Sequence, residues 1–428
     1  MYEKKQIDWN AWLVVAICFL TLAIASSTRG SLSLVMPAME SQFGWTRGFI
    51  STSASWALLV MAVTAPCVGN AVDKYGPRFL ICFGLVALTI ACFGIASLQS
   101  ASQEWLFIST YAVSGGIAFG VIAQHVIAAT IAMKFVVNRG LATGIGASGS
   151  TAGQLLLLPM FAILLQTGDW QYGYIVIGII SICLIPLTLW LLRPQTQKVI
   201  RNSVVIEKAS GNSNHSSEQS ISDGTLGAKL KRVLLSIPFQ ILFWTYFVCG
   251  FTTAGVIETH LMPYAALCGF PPLPRTSAYV LLSGFNLCGM ILAGWLTDRV
   301  NRSLLLATIY FMRGLSFILL LYIGDSYPLL LIFAVMFGLF DYSTVPVTAS
   351  LLASKLGIGV LGLSMGLLQT GHAVGAALGA YMGGVLFDHT GQYGMLWFTA
   401  VCLSIGAAFL AACLVDDRAK KMPGAVMA

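Results

Sequence analysis

Charge is what this 428-residue chain has least of. Only 9% of its residues are Asp, Glu, Lys or Arg, while 57% are hydrophobic. A soluble domain carries roughly a quarter charged residues, so a water-exposed globular fold is excluded. Mean hydropathy of +0.84 places the chain in the membrane class. There are ten cysteines but no CxxC pair and no Cys/His cluster. Most of the cysteines lie inside apolar runs, which argues against a disulfide framework or a metal site and leaves small core residues. No GxxxxGK[ST] phosphate loop is present, so an ATP-driven pump is not expected. No nucleophile–base pair stands out either, so neither an enzyme nor a cofactor is expected. Period-two alternation is missing, and the apolar runs are too long for strands.

What is there instead is twelve apolar runs around one polar stretch. A helix needs about 20 apolar residues to cross a bilayer. Spans 1 to 12 are placed at 11–33, 46–71, 78–99, 103–132, 138–165, 170–192, 239–266, 274–298, 302–322, 327–353, 360–387 and 392–415. The first could pass for a signal peptide, but eleven more follow it, so it reads as a retained helix. The stretch 193–238 is rich in Ser, Asn, Gly and charge and cannot bury enough apolar surface to fold alone. The expected organisation is an all-α membrane protein of twelve transmembrane helices in two six-helix lobes. Residues 1–192 form one lobe, 193–238 a cytoplasmic linker and 239–428 the other lobe.

The charges fix an expected orientation. With both termini in the cytoplasm, 19 of the 23 basic residues fall on that side and only Arg47 and Arg275 fall outside. The net charge of +7 is therefore a topology signal rather than a nucleic-acid patch. The remaining two, Arg29 and Arg313, lie within spans.

A motif recurs at the same place in each half. Gly69-Asn-Ala-Val-Asp73-Lys74-Tyr-Gly76-Pro-Arg78 follows span 2, and Gly294-Trp-Leu-Thr-Asp298-Arg299-Val-Asn-Arg302 follows span 8. Each sets an acid at a helix end with bases after it. The expected use is a charge latch of Gly69, Asp73, Lys74, Gly76, Arg78, Asp298 and Arg299 that ties the lobes together when the site faces outward; a tight turn with topogenic charge is the simpler alternative. This signature resembles that of the major facilitator superfamily over the whole chain, with Asn301 replacing a glycine in the second copy. Further stretches resemble the monocarboxylate-porter group. They are Gly44-Trp45-Thr46-Arg47, Lys134-Phe135-x-x-Asn138-Arg139-Gly140-Leu141-Ala142-x-Gly144, Thr259-His260-Leu261, Tyr310-x-x-Arg313-Gly314, Thr344-Val345-Pro346 and Gly371-His372-x-x-Gly375-x-x-x-Gly379. The resemblance implies transport of small organic anions with protons. It departs in span 8, where the aspartate and arginine of the animal carriers have no match and the span offers only Asn286 in their place. Gly144-Ile-Gly146-Ala-Ser-Gly149 matches a dinucleotide fingerprint, but it follows no strand. Gly140/Gly144, Gly149/Gly153 and Gly375/Gly379/Gly383 are spaced by four, which suits close helix packing.

Charges within a bilayer need a partner or a function. Arg313 in span 9 and Asp341 in span 10 fall near mid-membrane on adjacent antiparallel helices, so an ion pair is expected, either structural or functional. In the functional case Arg313 meets a substrate carboxylate and Asp341 exchanges a proton. His372 sits on a small-and-polar stripe of span 11 with Gln369, Ala376, Gly379 and Gly383, and could bind a carboxylate or carry a proton. Arg29 is either an anion site or a charge at the outer interface. Glu258 and His260 lie in the outer half of span 7, as a reserve proton carrier and a substrate contact. Gln124, His125 and Tyr111 read as packing and helix bonding before substrate contact.

The expected function is secondary active transport of small monocarboxylates with protons by alternating access. The setting is the cell's inner (plasma) membrane, and the partners are a small organic anion, a proton and membrane lipid. A carrier of an amino acid, a siderophore or an exported drug is the alternative. A cation exporter would want buried acids without buried arginine. A non-transporting sensor of the same fold would want a long soluble extension.

Overall fold

The computed structural model describes residues 9–135, 137–167, 170–192 and 226–416. Eleven stretches among them are long and apolar enough to cross a bilayer. Span 5, expected at 138–165, is present as two helices, Arg139–Ala147 and Gly149–Thr167, which meet at Ser148. Twelve helical spans follow one another, and the expected all-α fold holds.

Span 1 runs from Trp9 to Phe43, ten residues past its expected end. The helix continues over 34–43 although Pro37 is a poor helix former there. The helix stops at Gly44, whose φ of +68° suits a residue without a Cβ, and whose N–H bonds back to Glu40 O at 2.9 Å. Arg29 therefore sits within a longer helix, fourteen residues before its end.

Spans 4, 7 and 10 are irregular at mid-height. Span 4 (Ala101–Lys134) has a π-helical stretch at Ile108–Gly115 and a break at Ile122–Ala123, after which a new helix runs from Gln124 to Lys134. Span 7 (Ile237–Leu267) is π-helical over Phe251–Ile257. Span 10 (Tyr327–Lys355) breaks at Asp341–Ser343 between helices Tyr327–Phe340 and Thr344–Lys355. Irregular backbone at membrane depth is tolerated where it is buried in protein or lines a cavity.

The last part of the expected linker is not irregular. Leu226–Leu234 forms a helix with Val233 buried and Lys231 and Arg232 in its last turn. Leu226, Leu230, Val233 and Leu234 recur at helical spacing, which whole-stretch composition hides. Residues 193–225 lie outside the described residues.

Three apolar cores show how the halves meet. One lies wholly within residues 11–192, around Phe107, Phe161, Trp170 and Tyr174. A second lies within the other half, around Phe317, Phe333, Phe337 and Trp397. The third joins both halves, setting Ala128, Ala129, Ala132 and Ala147 against Met290, Ala293, Leu361 and Met365. This shared core lies towards the membrane side that carries the motif loops. The molecule is closed on that side, called here the latch side.

Candidate functional site

Both motif acids close the latch side, and they do so by the same geometry. The Asp73 carboxylate accepts hydrogen bonds from the backbone N–H groups of Gly362 (2.7 Å) and Leu363 (2.8 Å), where span 11 begins. The Asp298 carboxylate accepts from Gly140 N and Leu141 N, both at 2.9 Å, where span 5 begins. The first amides of a helix lack intrahelical partners and carry positive potential, so a carboxylate satisfies them well. The backbones touch to make this possible. A Cβ on Gly69 would come 2.1 Å from Gly362 O, and one on Gly294 would come 2.4 Å from Gly140 O. Span 2 thereby packs on span 11 and span 8 on span 5, across the two halves.

The motif bases act differently from expectation. Lys74 lies over the Tyr75 ring, Arg78 over Phe79 and Arg299 over Trp295. Among the described residues none of the three makes an ion pair. The contact between the halves is a carboxylate on a helix N-terminus, and the bases flank it. Gly76 joins spans 2 and 3 with φ +79°. Hydrogen bonds to a charged group contribute about 1.5–3 kcal/mol each, of which Asn keeps part. Asp73→Asn and Asp298→Asn should each shift the balance towards the latch-open state by about 1–2 kcal/mol, roughly five- to thirty-fold. Spin labels at Lys74→Cys and Ser354→Cys would read this as a growing long-distance population. An unchanged distribution in the double variant would reject the latch.

At mid-membrane, Arg313 and Asp341 do pair, with Nη2 3.7 Å from Oδ1. Arg313 is also held by Thr252 Oγ1 (3.2 Å), by the carbonyl of Phe340 (3.0 Å) and by the carbonyl of Asp341. The rings of Tyr310 and Phe337 lie within 5.4 and 5.8 Å of the guanidinium. Thr253 Oγ1 donates to Asp341 Oδ1 at 2.5 Å and Asn286 Nδ2 donates to Oδ2 at 3.2 Å. Arg313 is 0% exposed and Asp341 3%. A carboxylate in the cavity would reach this guanidinium only after Asp341 and Thr252 moved aside. Sequence reading missed Thr252 and Thr253, which lie in the π-helical part of an otherwise apolar run. It also missed Cys249, whose Sγ lies 3.6 Å from Thr344 Oγ1.

Arg29 is placed otherwise. It is half-buried, and its Nη1 lies 3.9 Å from Met61 Sδ. Among the described residues no acid lies within ion-pair distance of it. Its charge reaches Tyr279 and Tyr342 of the other half. The Tyr342 hydroxyl donates to Glu258 Oε1 at 2.9 Å. Glu258 is exposed, and its charge reaches Asp341. The structure thus brings Glu258, Tyr342 and Asp341 together, with Arg29 and Tyr279 within electrostatic range. Neither tyrosine was singled out by sequence, because a tyrosine in an apolar run carries no signal of its own.

Two expected contacts differ in kind. His260 is tied into the seam of spans 7 and 11, with Nε2 3.0 Å from Ala380 O, its ring against Tyr393 and its edge filling the space beside Gly383. Its contacts are those of a packing residue in that seam. His372 is buried at the middle of span 11 with its ring 5.3 Å from Tyr246. Tyr111 donates to Arg29 O at 3.5 Å, as helix bonding would have it. Arg302, read as a topogenic charge, is instead buried in a fork with Asp416 at 2.5 Å (Nη2–Oδ1) and 3.1 Å (Nε–Oδ2).

Known proteins match this arrangement along its whole length. The chain is 28% identical over 403 residues to a Bacillus subtilis (strain 168) protein described as "Uncharacterized MFS-type transporter YcxA", covering 92% of this chain and 91% of that one. It is 25% identical over 412 residues to monocarboxylate transporter 13 of Bos taurus, covering 96% and 89%. A crystal structure of a double tryptophan mutant of XylE superposes with a TM-score of 0.75 over 96% of each chain at 15% identity, which speaks for the fold alone. The model of the Major Facilitator Superfamily matches residues 18–319 and 276–426. By that match, with two six-helix halves and paired latches, the chain belongs to the major facilitator superfamily of membrane transporters.

Proposed function

We propose that the chain is a secondary active carrier of small organic anions, with monocarboxylates as the substrate class and a proton as the coupled ion. The observation that carries this reading is Arg29, a mid-helix guanidinium without an acid partner among the described residues. A charge left unpaired at membrane depth is costly unless a ligand completes it. An arginine fork matches a carboxylate. Similarity to a monocarboxylate transporter supports the same class. Arg313 then takes the role of holding Asp341, and Arg29 takes the anion. A substrate carboxylate entering beside Glu258 and Asp341 adds like charge there, and a proton taken up by one of them relieves it. Symport of one proton per monocarboxylate follows. The 19-to-2 basic bias supports a cytoplasmic latch side and cytoplasmic termini, in the plasma membrane.

Purified protein in proteoliposomes should accumulate lactate or pyruvate when an inward proton gradient is imposed, without net charge movement. Transport of an amino acid or a cationic drug, with no uptake of either carboxylate, would overturn the reading.

A further inference from the structure

The break in span 4 leaves a group that transport from the outer cavity does not use. Ile122 and Ala123 leave helical geometry, with Ala123 extended at φ −88° and ψ 155°, and a new helix of eleven residues starts at Gln124. No side chain caps that start. The first amides that fold back are those of Val126 and Ile127, both onto Ala123 O at 3.0 Å. Helix geometry then leaves the N–H groups of Gln124 and His125 facing the break without intrahelical partners. The His125 side chain adds a second, independent observation. It is 1% exposed, and neither Nδ1 nor Nε2 has a hydrogen-bond partner among the described residues. His372 of span 11 lies within electrostatic reach of it, and the Gln124–Lys134 helix packs on span 11 across the two halves. Gln124 already spans the same seam, with Nε2 3.5 Å from both Ala147 O and Met290 Sδ.

A buried imidazole with both nitrogens idle is costly where it stands. A helix start with free amides favours an anion. The two features belong to adjacent residues at the seam between the halves. We propose that the Gln124 and His125 amides, the His125 ring and His372 form an inner carboxylate-binding station, shut in this conformation and completed by substrate when the latch side opens. Arg29 receives the anion from the outer cavity, and the station receives it on the way out. The inference rests on the anion reading above.

The test uses full-length protein in proteoliposomes of uniform orientation, with L-lactate as the probe and exchange measured from each face. His125→Phe should melt at or above the wild-type temperature, because an apolar ring replaces an unpaired polar one. It should leave the outer-face half-saturation concentration within two-fold and raise the latch-face value ten-fold or more. His125→Gln, which retains a donor, should recover most of that loss. An unchanged latch-face value in His125→Phe overturns the station alone. A melting temperature well below wild type in both variants also overturns it, since His125 would then have a structural partner. Wild-type protein that moves no lactate overturns the functional reading and the station with it.

Discussion

Arg29→Gln should lower carboxylate uptake by roughly 30- to 1000-fold while leaving the melting temperature close to wild type. The size follows from removing one partner of a desolvated charge pair, which costs about 2–4 kcal/mol. The unchanged stability follows from the local geometry. Arg29 touches a methionine sulfur and no acid among the described residues, so its loss leaves no counter-charge stranded. Arg29→Lys should fall between the two, because it keeps the charge and loses the fork. Uptake of labelled lactate and thermal unfolding, measured on the same preparations, check both halves. Normal uptake by Arg29→Gln would move the anion's partner to Arg313.

The second large effect is an asymmetry within the buried pair. Asp341→Asn should destabilise the protein by about 3–5 kcal/mol, because Arg313 cannot shed its charge and would stand uncompensated at full burial. Arg313→Met should cost less, because Asp341 can neutralise itself by binding a proton. Transport should not follow stability, because both changes disable the proton carrier. Arg313→Met should still bind substrate but accumulate none against a gradient, since its proton carrier is permanently occupied. The double change Arg313→Met with Asp341→Leu should recover stability without recovering coupling. Denaturation in detergent together with substrate-induced pH change in proteoliposomes separates these outcomes. Equal destabilisation by the two single variants would mean that Asp341 is already uncharged in the folded protein.

The spans and the paired motifs were legible because they need no tertiary knowledge. Runs of twenty apolar residues and a repeated spacing of Gly, Asp and base are properties of the chain itself. The pairing of Arg313 with Asp341 was legible for a similar reason, since adjacent antiparallel helices bring equal depths together. The partners of Asp73 and Asp298 were not. They are backbone amides 289 and 158 residues away, and an amide has no residue signature. That is why Lys74 and Arg299 were credited with the latch. Thr252 and Thr253 were hidden by the π-helical turn, which rotates side chains away from regular helical positions. Asp416 was hidden by its place beyond the last span, where a charge ordinarily faces water. The surroundings of Arg29 were not legible, because span 1 continues as a helix past the point where hydropathy fades. His125 was read as packing, and only the break before it shows what its ring faces.

The seam on the latch side is rich in small residues, with Ala128, Ala129, Ala132 and Ala147 facing Met290, Leu361 and Met365 in the shared core and Gly69, Gly140, Gly294 and Gly362 in backbone contact. Parting such a seam wets little apolar area for each residue separated. The heat-capacity change of the conformational step is correspondingly small, since apolar exposure is its main source. Cooling weakens apolar association, but here it has little to act on. The ratio of the two facing states therefore varies gently with temperature, governed by two hydrogen-bonded carboxylates rather than by an oily interface.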